Sequence, residues 1–142
     1  MRPARRDRDA GFVAIELTAG LALLLFPVSL LVFTLPTWSE RQSAARAIAR
    51  EAARETARAG VCDPARVDTL SVEMEGNLGL PPGATAVALD CSPGSVLVPG
   101  TDVEVDVTVR MPAVRLPAIG DVAAWSWTAR HRQPVDTYAS EP

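Results

Sequence analysis

Apolar and polar positions divide this chain into three regimes. Residues 12–35 hold 24 positions with Glu16 as the sole charge. About 20 apolar residues span a bilayer as a helix, so this stretch is long enough for one crossing. From 39 to 59 the pattern stays helical but turns amphipathic. Ala44, Ala45, Ile48, Ala49, Ala52 and Ala53 form a small-residue face, and Arg46, Arg50, Arg54 and Arg58 recur every fourth residue as a basic stripe. Beyond Gly60, a plausible helix C-cap, the period changes. Val103, Val105, Val107 and Val109 alternate with Asp102, Glu104, Asp106, Thr108 and Arg110, which predicts a half-buried strand with an acidic outer face turned to solvent.

Shorter elements surround that strand. Asp63-Pro64 reads as an N-cap followed by proline at the first helical position. Val67, Leu70, Met74 and Leu78 then follow helical spacing, with a strand over 69–74 as the alternative. Pro81-Pro82-Gly83 breaks the chain, and 85–91 reads as a strand. Pro112 and Pro117 suggest a loop over 114–120. A last strand over 123–131 would place Trp125 and Trp127 on one face, for core or subunit contact, and 136–142 reads as a tail. The expected fold class is α+β: a long N-terminal helix and a small antiparallel sheet with one short helix. If the first two regimes are continuous, 12–59 makes a helix of about 70 Å.

Charge sets the direction of the anchor. Arg2, Arg5, Arg6 and Arg8 precede it against Asp7 and Asp9, which places the N-terminus in the cytoplasm and the bulk of the chain outside. A cleaved secretory signal is the rival reading. Its apolar region runs only about 7–15 residues and ends in small residues. Here the segment is longer, carries Glu16 and ends at Pro36-Thr37-Trp38, with Trp38 suited to the membrane boundary. Arg5-Arg6 lies among acidic residues and makes a poor twin-arginine signal. Pro27 is read as a tolerated kink, the alternative being a weak point that lets the helix change shape.

Net charge is only −3, which excludes chain-wide electrostatic binding of nucleic acid. Cys62 and Cys91 both follow the apolar segment, and in an oxidising compartment they read as one disulfide. Closing that loop would contribute roughly 3–4 kcal/mol on the chain-entropy model. Two cysteines and one distant histidine, His131, do not give zinc spacing, so neither metal nor cofactor is expected. No serine or cysteine lies in a nucleophile motif and there is no phosphate loop, so the expectation is a non-enzyme. The arginine stripe is open to two readings: a solvated face, or a docking face for acidic partner helices or lipid head groups.

Glu16 is the anomaly in this pattern, because a carboxylate costs up to roughly 3 kcal/mol at the centre of a span. Gly11-Phe12-Val13-Ala14-Ile15-Glu16, with a basic leader before and an apolar helix after, resembles the processing site of type IV prepilins and pseudopilins. The resemblance implies cleavage after Gly11 by a prepilin peptidase. Phe12 would become the first residue and Glu16 the fifth, both then contacting a neighbouring subunit. The rest of the chain is similar to TadE-like proteins of tight-adherence pilus systems. The similarity rests on the stretch 44–60, Cys62, the Pro-Pro-Gly before a strand ending at Cys91, the valine ladder and Leu116-Pro117.

That family implies a pilin-like fold: a cytoplasmic leader 1–11, a transmembrane helix 12–37, an amphipathic continuation 38–60, an extracytoplasmic α+β domain 61–134 and a tail 135–142. It implies a minor subunit, or pseudopilin, that assists pilus or secretion-system assembly in the inner membrane. Its partners would be the peptidase, other pilin-like subunits, inner-membrane platform proteins and membrane lipid, with no nucleic acid. The outer domain is larger than that of the main tight-adherence pilin, and Leu17 stands where major pilins commonly carry tyrosine. The alternative is an uncleaved, single-pass envelope protein with a binding or structural role.

Overall fold

The computed structural model describes residues 7–116, 120–122 and 125–136, with side chains described for 13–113 and 125–136. The chain divides into two compact units, 1–36 and 37–142. Helix α1, Asp7–Ala59, contributes to both. Expectations about the leader 1–6, the peptide 117–119, the start of the last strand at 123–124 and the tail 137–142 lie outside the described residues.

In the first unit α1 is apolar and, where described, almost wholly exposed. It is the described helix long and apolar enough to cross a membrane. Its hydroxyls are satisfied internally: Thr18 Oγ1 donates to Ala14 O at 2.7 Å, Ser29 Oγ to Leu25 O at 2.8 Å and Thr34 Oγ1 to Leu30 O at 2.9 Å. Such back-bonding removes the cost of taking a hydroxyl into hydrocarbon. Pro27 and Pro36 both lie inside the helix.

The second unit is built on the alanine face of α1. Ala45, Ile48, Ala49, Ala52 and Ala53 are fully buried and form one core with Val67, Val105, Val107, Val109, Met111 and Ala129. The helix side of this core is made almost entirely of alanine, with Ile48 as its one large side chain. Gly60 ends α1 with φ +64°, and its N–H donates to Thr56 O at 3.2 Å. Helix α2, Pro64–Asn77, starts where Asp63 accepts a hydrogen bond from the Arg66 N–H at 3.2 Å. The strand alternative for 69–74 therefore fails: a proline-led cap starts the helix, and Val67 is buried on its inner face.

Three antiparallel strands, β1 (Thr85–Leu89), β2 (Asp102–Arg110) and β5 (Ser126–Pro134), form a sheet in the order β1-β2-β5. The valine ladder of β2 behaves as its alternation predicts, with Val103, Val105, Val107 and Val109 all buried. β5 runs three residues later than the expected 123–131, because it pairs with β2 from Arg110↔Ser126 to Asp102↔Pro134. The expected loop over 114–120 is also corrected. β3 (Val114–Leu116) pairs with β4 (Gly120–Val122) in a separate two-stranded sheet. Strands of three residues are too short to show alternation, and Pro112 lies just before β3 without preventing it.

The outer face of β2 is not a row of solvated acids. Asp106 receives two hydrogen bonds from Arg130, at 2.8 and 2.9 Å, across a directly opposed pair. Glu104 is bonded by its opposite number Arg132, and Arg130 Nε lies 2.9 Å from its carboxylate. Thr108 and Thr128 share a hydroxyl bond at 2.8 Å. Registered cross-strand pairs of this kind stabilise a sheet.

Candidate assembly and processing site

The six residues that carry the processing motif all lie inside α1. Gly11 is the fifth residue of the helix, and the side chains of Gly11 and Phe12 lie outside the described set. Glycine within a helix lowers its stability by about 1 kcal/mol relative to alanine. Glu16 is exposed and shares one helix face with Val13, Leu17, Gly20, Leu21 and Leu24. Nothing lies within 4 Å of the position a Cβ would take at Gly20, so that face is indented one turn beyond the carboxylate. Among the described residues Glu16 has no charged partner. The face is a hydrocarbon-compatible surface with one charge on it.

The arginine stripe lies entirely in the second unit. Arg46, Arg50, Arg54 and Arg58 are all exposed. They are not equivalent. The Arg46 guanidinium stands 4.9 Å from the centroid of the Trp127 ring, a cation–π contact. Arg54 lies 3.8 Å from Glu51, one helical turn back. Glu55 is taken by Arg66 of α2. Trp125 and Trp127 both meet α1: Trp125 packs edge-on against Trp38 at 5.8 Å, and Trp127 lies beneath Arg46. The sequence reading of these tryptophans as packing residues is thus realised against the helix.

Cys62 and Cys91 form the expected disulfide. It joins the segment after α1 to the segment after β1, over a sequence separation of 29. Backbone bonds seat it: Cys62 N–H donates to Ser95 O at 2.9 Å, and Gly94 N–H to Cys62 O at 2.7 Å. Among the described residues, no group of three or more His, Cys, Asp or Glu is arranged to hold a metal ion.

One buried group was missed by sequence reasoning. Glu75, on the inner side of α2, is only 2% exposed. It accepts from the N–H of Gly83 at 2.8 Å, from the N–H of Thr85 at 2.7 Å and from the Thr85 hydroxyl at 2.6 Å. Burial pushes its pKa up, but the Thr85 hydroxyl, the Thr85 N–H and the Gly83 and Ala84 amides together outweigh that and hold it below the ordinary value. Gly83 reaches this position at φ +72°. The available signal was Pro81-Pro82-Gly83, a tight return whose amides need an acceptor.

Compared with protein-family models, with curated proteins and with solved structures, the chain has no significant match to any of them.

Proposed function

We propose that this chain is a pilin-like minor subunit, a pseudopilin that assists assembly of a tight-adherence pilus or related secretion machinery. The observation that carries the reading is Glu16: one carboxylate on an exposed apolar face of α1, five residues after a glycine and without a charged partner among the described residues. In a bilayer such a charge is costly alone and much less costly when paired. The partner supplied by the reading is the ammonium group of Phe12 on a neighbouring subunit, freed when a prepilin peptidase cuts after Gly11. The chain is then the substrate of an enzyme and not itself an enzyme, held as a single-pass protein of the inner membrane with its second unit outside. Partners are the peptidase, like subunits, inner-membrane platform proteins and lipid.

Support beyond Glu16 comes from the second unit. A small sheet packed on the amphipathic continuation of the anchor helix, with a disulfide, suits an extracytoplasmic head. N-terminal sequencing of membrane-extracted protein tests the reading: a start at Phe12 is expected, and a start at Met1 or Arg2 would remove it in favour of an uncleaved envelope protein. Glu16→Ala is expected to be cleaved but excluded from the assembly. Normal incorporation of that variant would sink the ion-pair idea.

A further inference from the structure

β5 is an edge strand, and among the described residues nothing pairs with its far side. Two flanking bonds fix which residues face that side. Met111 N–H donates to Trp125 O at 2.8 Å and Val135 N–H donates to Thr101 O at 2.8 Å, at either end of the β2–β5 pairing. Antiparallel pairs alternate, so the odd-numbered residues of β5 turn their backbone groups to β2 and the even-numbered ones turn theirs outward. The outward set is Ser126, Thr128, Arg130, Arg132 and Pro134. Among the described residues β5 pairs with β2 alone.

The arginine stripe runs beside this edge. Arg46 and Arg50 border a groove of about 270 Å³ whose other wall is the unbroken run 127–131. Farther along, Arg54 and Arg58 border one of about 380 Å³ with Gln133, Pro134 and Asp136. Consecutive residues of both faces line the first groove, so it follows the backbone edge of β5, not one of its faces. Two spacings then agree. Successive arginines on the helix are about 6 Å apart along its axis, and alternate residues of a strand are about 6.8 Å apart. A strand laid against β5 would bring every second side chain opposite a successive arginine, within the reach of that flexible side chain.

We propose that the β5 edge and the Arg46–Arg58 stripe together bind an extended acidic segment of a partner protein, which adds a fourth strand with carboxylates at alternate positions. Charge complementarity selects this occupant. A second copy pairing through its own β5 would set two arginine rows against each other, and like charges so placed repel. Arg50 has no carboxylate partner among the described residues, so an incoming carboxylate meets an uncommitted cation. Main-chain bonds supply affinity in strand addition and the side-chain positions supply selectivity. The inference is independent of cleavage at Gly11.

The test uses the full-length chain in detergent micelles and three fluorescent peptides of roughly ten residues. One alternates Val with Glu, one alternates Val with Lys, and one is the Val/Glu peptide N-methylated at every residue whose N–H would face β5. The Val/Glu peptide is expected to bind and to slow amide exchange at Thr128, Arg130 and Arg132, with the other two peptides about tenfold weaker. Arg50→Gln with Arg54→Gln is expected to weaken it about tenfold as well, and both residues are exposed, so the fold is retained. Equal binding of the N-methylated peptide would reduce the effect to charge adsorption and overturn strand addition. Failure of the Val/Glu peptide to bind, or protection of the same three amides by self-association without peptide, would overturn the proposal too.

Discussion

Glu75 receives two hydrogen bonds from Thr85, one from its N–H at 2.7 Å and one from its hydroxyl at 2.6 Å. This relationship fastens the end of α2 to the first residue of β1. Its folded pKa is depressed, so the stability it contributes is present above the unfolded carboxylate value of 4.5 and is lost as pH falls through the lower folded value. Urea melts of the full chain in detergent at pH 7 and pH 3 should show that acid loss, and Glu75→Gln should flatten it. Glu75→Ala leaves the Gly83 and Thr85 amides without their acceptor and is expected to cost roughly 1–3 kcal/mol. An unchanged melting profile for the alanine variant would contradict the role assigned to the carboxylate.

Trp38 and Trp125 come from distant parts of the second unit and meet edge to face, with centroids 5.8 Å apart. Arg41 adds to this junction by donating to Arg110 O at 2.6 Å. A double-mutant cycle of Trp38→Ala and Trp125→Ala, read by denaturant melts, should give a coupling of about 0.5–1.5 kcal/mol. Additive losses would mean that the two rings are merely neighbours.

The Cys62–Cys91 bridge constrains the unfolded chain between the end of α1 and the end of β1. Replacing both cysteines with alanine is expected to lower stability by about 3–4 kcal/mol while leaving the far-ultraviolet circular dichroism nearly unchanged. Reduction of the wild-type chain should shift the urea midpoint in the same direction. Equal midpoints with and without reductant would show that the bridge adds nothing to the fold.

Legibility in the sequence followed the length and regularity of each element. The nine residues of β2 alternate without a break, so Asp102–Arg110 was readable to the residue. The Asp63-Pro64 cap was readable because its chemistry is local. β5 was displaced by three residues because its ends are set by pairing with β2, and Trp125, taken for a strand residue, lies just before it. The β3–β4 pair was hidden by its shortness. Cross-strand partners were also hidden: nothing local says that Arg130 faces Asp106 or that Arg132 faces Glu104, since register is a tertiary fact. At the candidate site, the stripe Arg46–Arg58 was visible from its period. The edge beside it was not, because an edge is defined by which strand is missing.

Ala49 and Ala52 are both fully buried where α1 lies on β2 and β5. At full burial a larger side chain at either position must displace its neighbours in this core. Ala49→Leu is therefore expected to destabilise by about 1–3 kcal/mol through overpacking, although leucine is itself a good helix former. Ala47→Leu, at a partly exposed position on the same helix, serves as the control and should change stability far less. Parallel urea melts of the two variants separate packing from helix propensity. Equal effects would show that the response comes from helix propensity and not from packing of the alanine face in the core.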